Sequence, residues 1–157
     1  MSTKGAPATG VTISIGTPGT GETFVTIGQC SNVSLSPATL NFQDVTNLGS
    51  STLGQATIKE QLPTVIDPGS LSGTIIYNPG DAGFAAWNTA FLSGVVHDFK
   101  IQFPALAIFS QSSTGDLLAF QGFVKTQLMP NDLDPQKIMT AKFEVVLTTA
   151  VTRTAGS

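Results

Sequence analysis

Few side chains in this chain of 157 residues are of a type that does chemistry, and each has a structural explanation beside the chemical one. His97 is the sole histidine, and a general base of a hydrolase needs a nucleophile and an orienting carboxylate within hydrogen-bond reach. Its neighbour Asp98 does not serve, because adjacent residues of a strand point to opposite faces. The string from Gly16 to Thr23 resembles a phosphate-cradling glycine loop, but Glu22 stands where the phosphate-binding lysine belongs. A carboxylate there repels a nucleotide, and the string lies between two strand patterns with no helix after it, so it reads as a hairpin turn. Asp132 and Asp134 sit in a loop bracketed by Pro130 and Pro135, without the fuller ligand spacing of a calcium loop, and read as turn residues. Asn32, Val33 and Ser34 match a glycosylation sequon, which has no use without export. The expectation is no catalytic residue, no cofactor and no metal.

The elements that position these residues follow from composition and pattern. Apolar residues make up 41% of the chain, enough for one core, so a single domain over residues 1–157 is expected. Charged residues are 11% against roughly 25% in an average soluble domain. So sparse a charge suits a surface covered by copies of the same chain, although an ordinary all-β domain with Thr-rich strands has the same composition. The net charge of -3 and the seven scattered cations give no basic patch for gripping phosphates. Cys30 is alone, which excludes an intramolecular disulfide and fits a reducing compartment. The first residues carry no apolar leader, and no run approaches the ~20 apolar residues of a membrane span, so a soluble, unanchored protein is expected.

Val11, Ile13 and Ile15 alternate with polar residues, and a second strand follows the turn at about Thr23 to Gln29. Further strands are expected at Leu40 to Thr46, Leu71 to Tyr77, Phe99 to Phe103, Leu117 to Thr126 and Thr140 to Val151. One helix is expected between them, with Asn78 as cap, Pro79 in its first turn and Gly94 as its left-handed stop. Within it Phe84, Trp87, Phe91 and Leu92 have helical spacing and are expected to pack on the sheet. The Gly- and Ser-rich residues 47–57 read as a long loop, and residues 1–10 and 152–157 as terminal arms. About eight strands and one helix without βαβ alternation give a mainly β fold, an antiparallel β-sandwich or distorted barrel with one flanking α-helix.

Two stretches resemble the tail tube (major tail) protein family of long-tailed bacteriophages. The first is Asp44, Val45, Thr46 and Asn47, then a loop, then Lys59 to Pro63 and Ile66 to Gly69. The second is Asp98 to Pro104, followed by Phe120 to Val124 and the last long strand. Their shared order resembles the family's succession of words. The resemblance implies a tail tube-like sandwich that polymerises as stacked hexameric rings to form the conduit for DNA ejection. The inner tube of type VI secretion is similar in fold. It also implies inter-ring contacts at Asn47, Leu48, Leu53 and Gln55, and termini that couple neighbouring subunits. The implied partners are other copies of the chain, the tape measure protein, the tail terminator and tail-tip or baseplate proteins. DNA would pass through the lumen without tight binding, in a virion tail assembled in the host cytoplasm.

Physically, strand edges that are a hazard in a monomer can be closed around a ring, and head-to-tail contacts then repeat along an axis. A Lys-poor subunit suits a channel through which phosphates slide. The alternative is a monomeric β-sandwich binding module of carbohydrate or adhesin type, which requires clustered aromatics on an exposed face. Trp87, placed on the apolar side of the expected helix, argues for a core role instead.

Overall fold

The computed structural model describes residues 10–17, 22–28, 30–45, 61–106, 110–131 and 133–157. Its elements are β1 (Thr12–Gly16), β2 (Phe24–Ile27), β3 (Cys30–Leu35), β4 (Thr39–Asp44), β5 (Gln61–Asp67), β6 (Ser70–Ile76), α1 (Ala82–Ser93), β7 (His97–Gln102), β8 (Leu117–Val124), β9 (Thr140–Leu147) and β10 (Thr152–Thr154). Eight strands form one antiparallel sheet in the order β2-β1-β7-β8-β9-β6-β3, with β10 joined to the first half of β8. The hairpin β4–β5 is a separate two-stranded sheet. The main sheet folds over on itself, so that Val33 and Leu35 of β3 and Ile13 and Ile101 of β1 and β7 line one groove. The edge strands β2 and β3 do not pair, which makes the fold an open sandwich and not a closed barrel.

Alternation decides which side of each strand enters the core. Phe99 and Ile101 of β7 are buried while Asp98, Lys100 and Gln102 face outward, and Phe143, Val145 and Leu147 of β9 are buried opposite Lys142 and Glu144. The aromatic centre is a chain of ring contacts, Phe120 stacked on Phe99 at 5.6 Å and Trp87 edge-on to Phe99 at 6.0 Å. Trp87 delivers this contact from α1, and its indole N–H donates to the Thr126 carbonyl at 2.8 Å, so its one polar atom is satisfied inside the core.

The helix differs from expectation at its start. Asp81, in extended backbone, is the N-cap, and Asn78 instead forms a turn in which its side-chain oxygen accepts from Gly80 N–H at 3.2 Å. The asparagine and proline that signal a helix here belong to the turn that feeds it. Gly94 ends the helix at φ 61°, donating to Ala90. Phe84 and Trp87 are buried and Phe91 packs against the core, but Leu92 is 76% exposed and does not pack on the sheet. It lies in the last turn, one residue past Phe91 and therefore about 100° around the helix from the buried side. No described helix is long and apolar enough to cross a membrane.

Candidate interaction surfaces

His97 is buried with its Nδ1 2.9 Å from the Gly16 carbonyl, which fixes the proton on that nitrogen. Its Nε2 lies 3.4 Å from Ser93 Oγ, a serine–histidine pair that sequence spacing had not suggested. The serine hydroxyl is committed elsewhere, donating to the Ala90 carbonyl at 2.8 Å, so the imidazole has no proton to draw from it. Asp98 faces the other side of β7, as its position on the strand requires. The histidine ties the helix exit to β1 and does not form a catalytic set.

At the two ends of the glycine string Thr17 N–H donates to the Thr23 carbonyl at 3.1 Å, extending the β1–β2 pairing, while residues 18–21 lie outside the described residues. The carboxyl of Glu22 folds back across Gly16, into space that any side chain on residue 16 would occupy. One of its oxygens is buried without a hydrogen-bond donor. Burial, followed by the contact with the Asp98 carboxyl and its charge, raises the Glu22 pKa above its ordinary 4.5. Two facing carboxyls form a hydrogen bond only when one holds a proton, so this pair favours a protonated Glu22 and repels a phosphate. Lys100 covers the adjacent Phe24 ring at 3.5 Å.

The remaining candidates are likewise explained by local structure. Asp134 accepts from Gln136 N–H at 3.0 Å and pairs with Lys137 at 3.5 Å, which is turn chemistry, while Asp132 lies outside the described residues. Among the described residues no group of three or more metal-ligating side chains occurs. Burial pushes the Cys30 thiol up to about 11, and its Sγ donates to the Gly28 carbonyl, which leaves it unreactive.

What does stand out is apolar surface. Every residue of β4 and β5 is exposed. The register pairs Leu40 with Ile66 and Phe42 with Pro63, and since paired residues share a face, these four form one apolar side of the hairpin. Phe42 is 57% and Ile66 61% exposed, against water that such residues avoid. A two-stranded hairpin is marginal alone, and this one pairs with no other strand among the described residues. The residues between its strands include Asn47, Leu48, Leu53 and Gln55, all outside the described residues.

The segment expected as a C-terminal tail is instead docked. Arg153 donates to Asp116 at 2.7 Å, Gly156 N–H donates to the same carboxylate at 3.0 Å, and the amides of Ser112, Ser113 and Thr114 converge on the Ser157 carbonyl. Those donors, led by the Gly156 amide and Arg153, hold the Asp116 pKa below its ordinary value. Residues 1–9 lie outside the described residues. The sequence had not suggested β3 or β5 as strands, and without β5 the apolar face of the hairpin could not be assembled from sequence.

No protein-family model matches the chain, and no curated protein does. Solved structures match its fold closely over nearly its whole length. A chain in the tail of an empty gene transfer agent particle of C6 symmetry is 19% identical, with a TM-score of 0.67, over 96% of this chain and 100% of that one. A chain in the six-fold symmetrised baseplate of the anti-feeding prophage is 11% identical, with a TM-score of 0.64, over 99% and 98% of the two chains. A chain in the extended sheath-tube complex of an extracellular contractile injection system is 11% identical, with a TM-score of 0.65, over 98% and 94%. The fold is therefore tail tube-like, mainly β with antiparallel sheets and one flanking helix.

Proposed function

We propose that this chain is the structural subunit of a bacteriophage-type tail tube, polymerising as stacked hexameric rings around a channel for DNA ejection. The observation that carries the reading is the hairpin β4–β5, whose apolar side of Leu40, Phe42, Pro63 and Ile66 is left exposed by the described residues of its own subunit. A surface of this kind is expected where a second copy supplies the missing layer. The fold shared with components of six-fold tails and injection systems supports a ring of six. Asn47, Leu48, Leu53 and Gln55, between the two hairpin strands in sequence, are then inter-ring contacts.

A cap, a baseplate and a sheath accompany the similar chains in their own assemblies, and tail-end proteins of this kind are the natural partners here. A tape measure protein inside the tube and DNA moving past a neutral or acidic wall complete the reading. The net charge of -3 favours a wall that does not hold phosphates. The rival binding-module reading requires clustered exposed aromatics, and Trp87 does not supply one, because it is fully buried and cannot stack on a sugar.

Electron microscopy of the purified chain at rising concentration, with its sedimentation profile, tests the proposal. Rings or hollow tubes are expected. A monomer at every concentration, even with tail-tip proteins added as an initiating complex, overturns it.

A further inference from the structure

Residues 152–157 are held as a ligand is held, by a cradle whose own bonds do not involve them. Gly115 lies against the Phe103 and Pro104 carbonyls, where a side chain would not fit, and the Gln102 side-chain amide donates to the Gly115 carbonyl at 2.9 Å. Phe103 N–H donates to the Asp116 carbonyl at 2.9 Å, which continues the β7–β8 ladder, and Gln111 donates to the Asp116 carboxylate at 2.9 Å. Separate features then read the bound segment. The ladder between β8 and β9 runs over Gly122 to Val124, and β10 fills the edge of β8 left beside it, with Arg153 opposite Leu118. The Arg153 guanidinium donates to one oxygen of the Asp116 carboxylate at 2.7 Å, and Gly156 N–H donates to the other at 3.0 Å. A Cβ on Gly156 would run into the Thr114 carbonyl and the Gly115 backbone. Beyond it the successive amides of Ser112, Ser113 and Thr114 converge on the Ser157 carbonyl at 2.9 to 3.2 Å, a nest suited to an acceptor oxygen.

We propose that the β8 edge from Leu117 to Ala119, together with residues 111–116, is a peptide-binding groove for an extended segment that carries arginine and, three residues later, glycine. The groove holds residues 152–157 in cis, and takes a peptide of the same chemistry in trans once that segment is out. Main-chain pairing along a strand edge gives such a groove its affinity, and side-chain sites give it selectivity. Here the selective elements are the Asp116 carboxylate, which takes the arginine, and a slot at Thr114 and Gly115 too shallow for any side chain. Tethering gives the cis segment an effective concentration far above that of a free peptide, so an outside peptide enters only where the contacts of the tethered one are broken. The groove shares no residue with the β4–β5 hairpin, and its use does not depend on tube formation.

The test is made in the full chain. The double variant Arg153→Ala/Gly156→Val removes the ion pair and blocks the glycine slot, so its own segment should come out of the groove. Circular dichroism should be unchanged, and hydrogen exchange at the amides of Ser112 to Thr114 should be faster. A fluorescently labelled peptide with the sequence of residues 151–157 should then bind this variant, read by anisotropy, and restore slow exchange at those amides. It should not bind the unsubstituted chain, whose groove is filled. A peptide carrying Gly156→Val should show no binding, and one carrying Arg153→Ala should bind several-fold more weakly. Gly156→Val alone replaces the double variant if the latter does not fold. Loss of the fold in both variants, or slow exchange at Ser112 to Thr114 in a folded one, overturns the proposal. So does an opened groove that binds no peptide, a peptide that binds the unsubstituted chain equally, or altered peptides that bind as well as the unaltered one.

Discussion

Trp87 and Phe143 meet edge to face with ring centroids 5.3 Å apart, joining α1 to β9 of the folded sheet. Helix and sheet share one core through this contact, since both rings are fully buried. Replacing Trp87 with alanine should cost about 3–5 kcal/mol of unfolding free energy through lost contacts and the cavity left behind. Trp87→Phe keeps most of the ring but orphans the Thr126 carbonyl, and should cost about 1–3 kcal/mol. Urea unfolding of both variants checks the order, and equal losses would mean that the hydrogen bond, not the ring, dominates.

The Glu22 carboxyl gives a pH dependence whose sign is set by its raised pKa. A group that holds its proton more tightly when folded stabilises the fold in acid, fully so below the unfolded value of 4.5. That contribution is lost as pH rises through the folded value. Glu22→Gln removes the titration while keeping the shape. Relative to the unsubstituted chain, its thermal midpoint should therefore gain as pH is raised from 4 to 8.

Asp116 behaves in the opposite sense. Its pKa is lowered, so its contribution is present above the ordinary 3.8 and lost as pH falls through the folded value. Asp116→Asn should free the last residues without unfolding the sheet, because the carboxylate bridges Arg153 and the Gly156 amide. Faster hydrogen exchange at Gly156 and the amides of Ser112 to Thr114, with β7 and β9 unchanged, is the expected readout.

The hairpin should be dispensable for folding and necessary for assembly. Phe42→Asp places a charge on a side chain already in water, so unfolding free energy should change by no more than about 0.5 kcal/mol. Tube formation should be abolished at concentrations where the unsubstituted chain polymerises. Tubes of normal length from Phe42→Asp would remove the hairpin from the axial contact.

Much of this fold is written in local pattern. The alternation in β7 and β9, the left-handed stop at Gly94 and the inward Trp87 depend on which residues lie two, three or four apart, and those periods survive any tertiary context. The order of words from Asp44 to Val124 resembles that of the tail tube family, and the fold found is tail tube-like. Other features depend on distant partners. In β3 only Val33 and Leu35 alternate, too short a pattern to mark a strand, and β6 pairs with it through a bulge at Ser31 to Ser34, where Asn32 adopts φ 52°. Leu92 shares the helical spacing of Phe91 yet faces water, because the sheet reaches only one side of α1. The apolar side of β4–β5 needs the pairing of Leu40 with Ile66, 26 positions apart, to exist at all. Side-chain period is a property of a segment and can be read along the chain, whereas strand pairing and exposure are relations between distant segments that only the folded molecule decides.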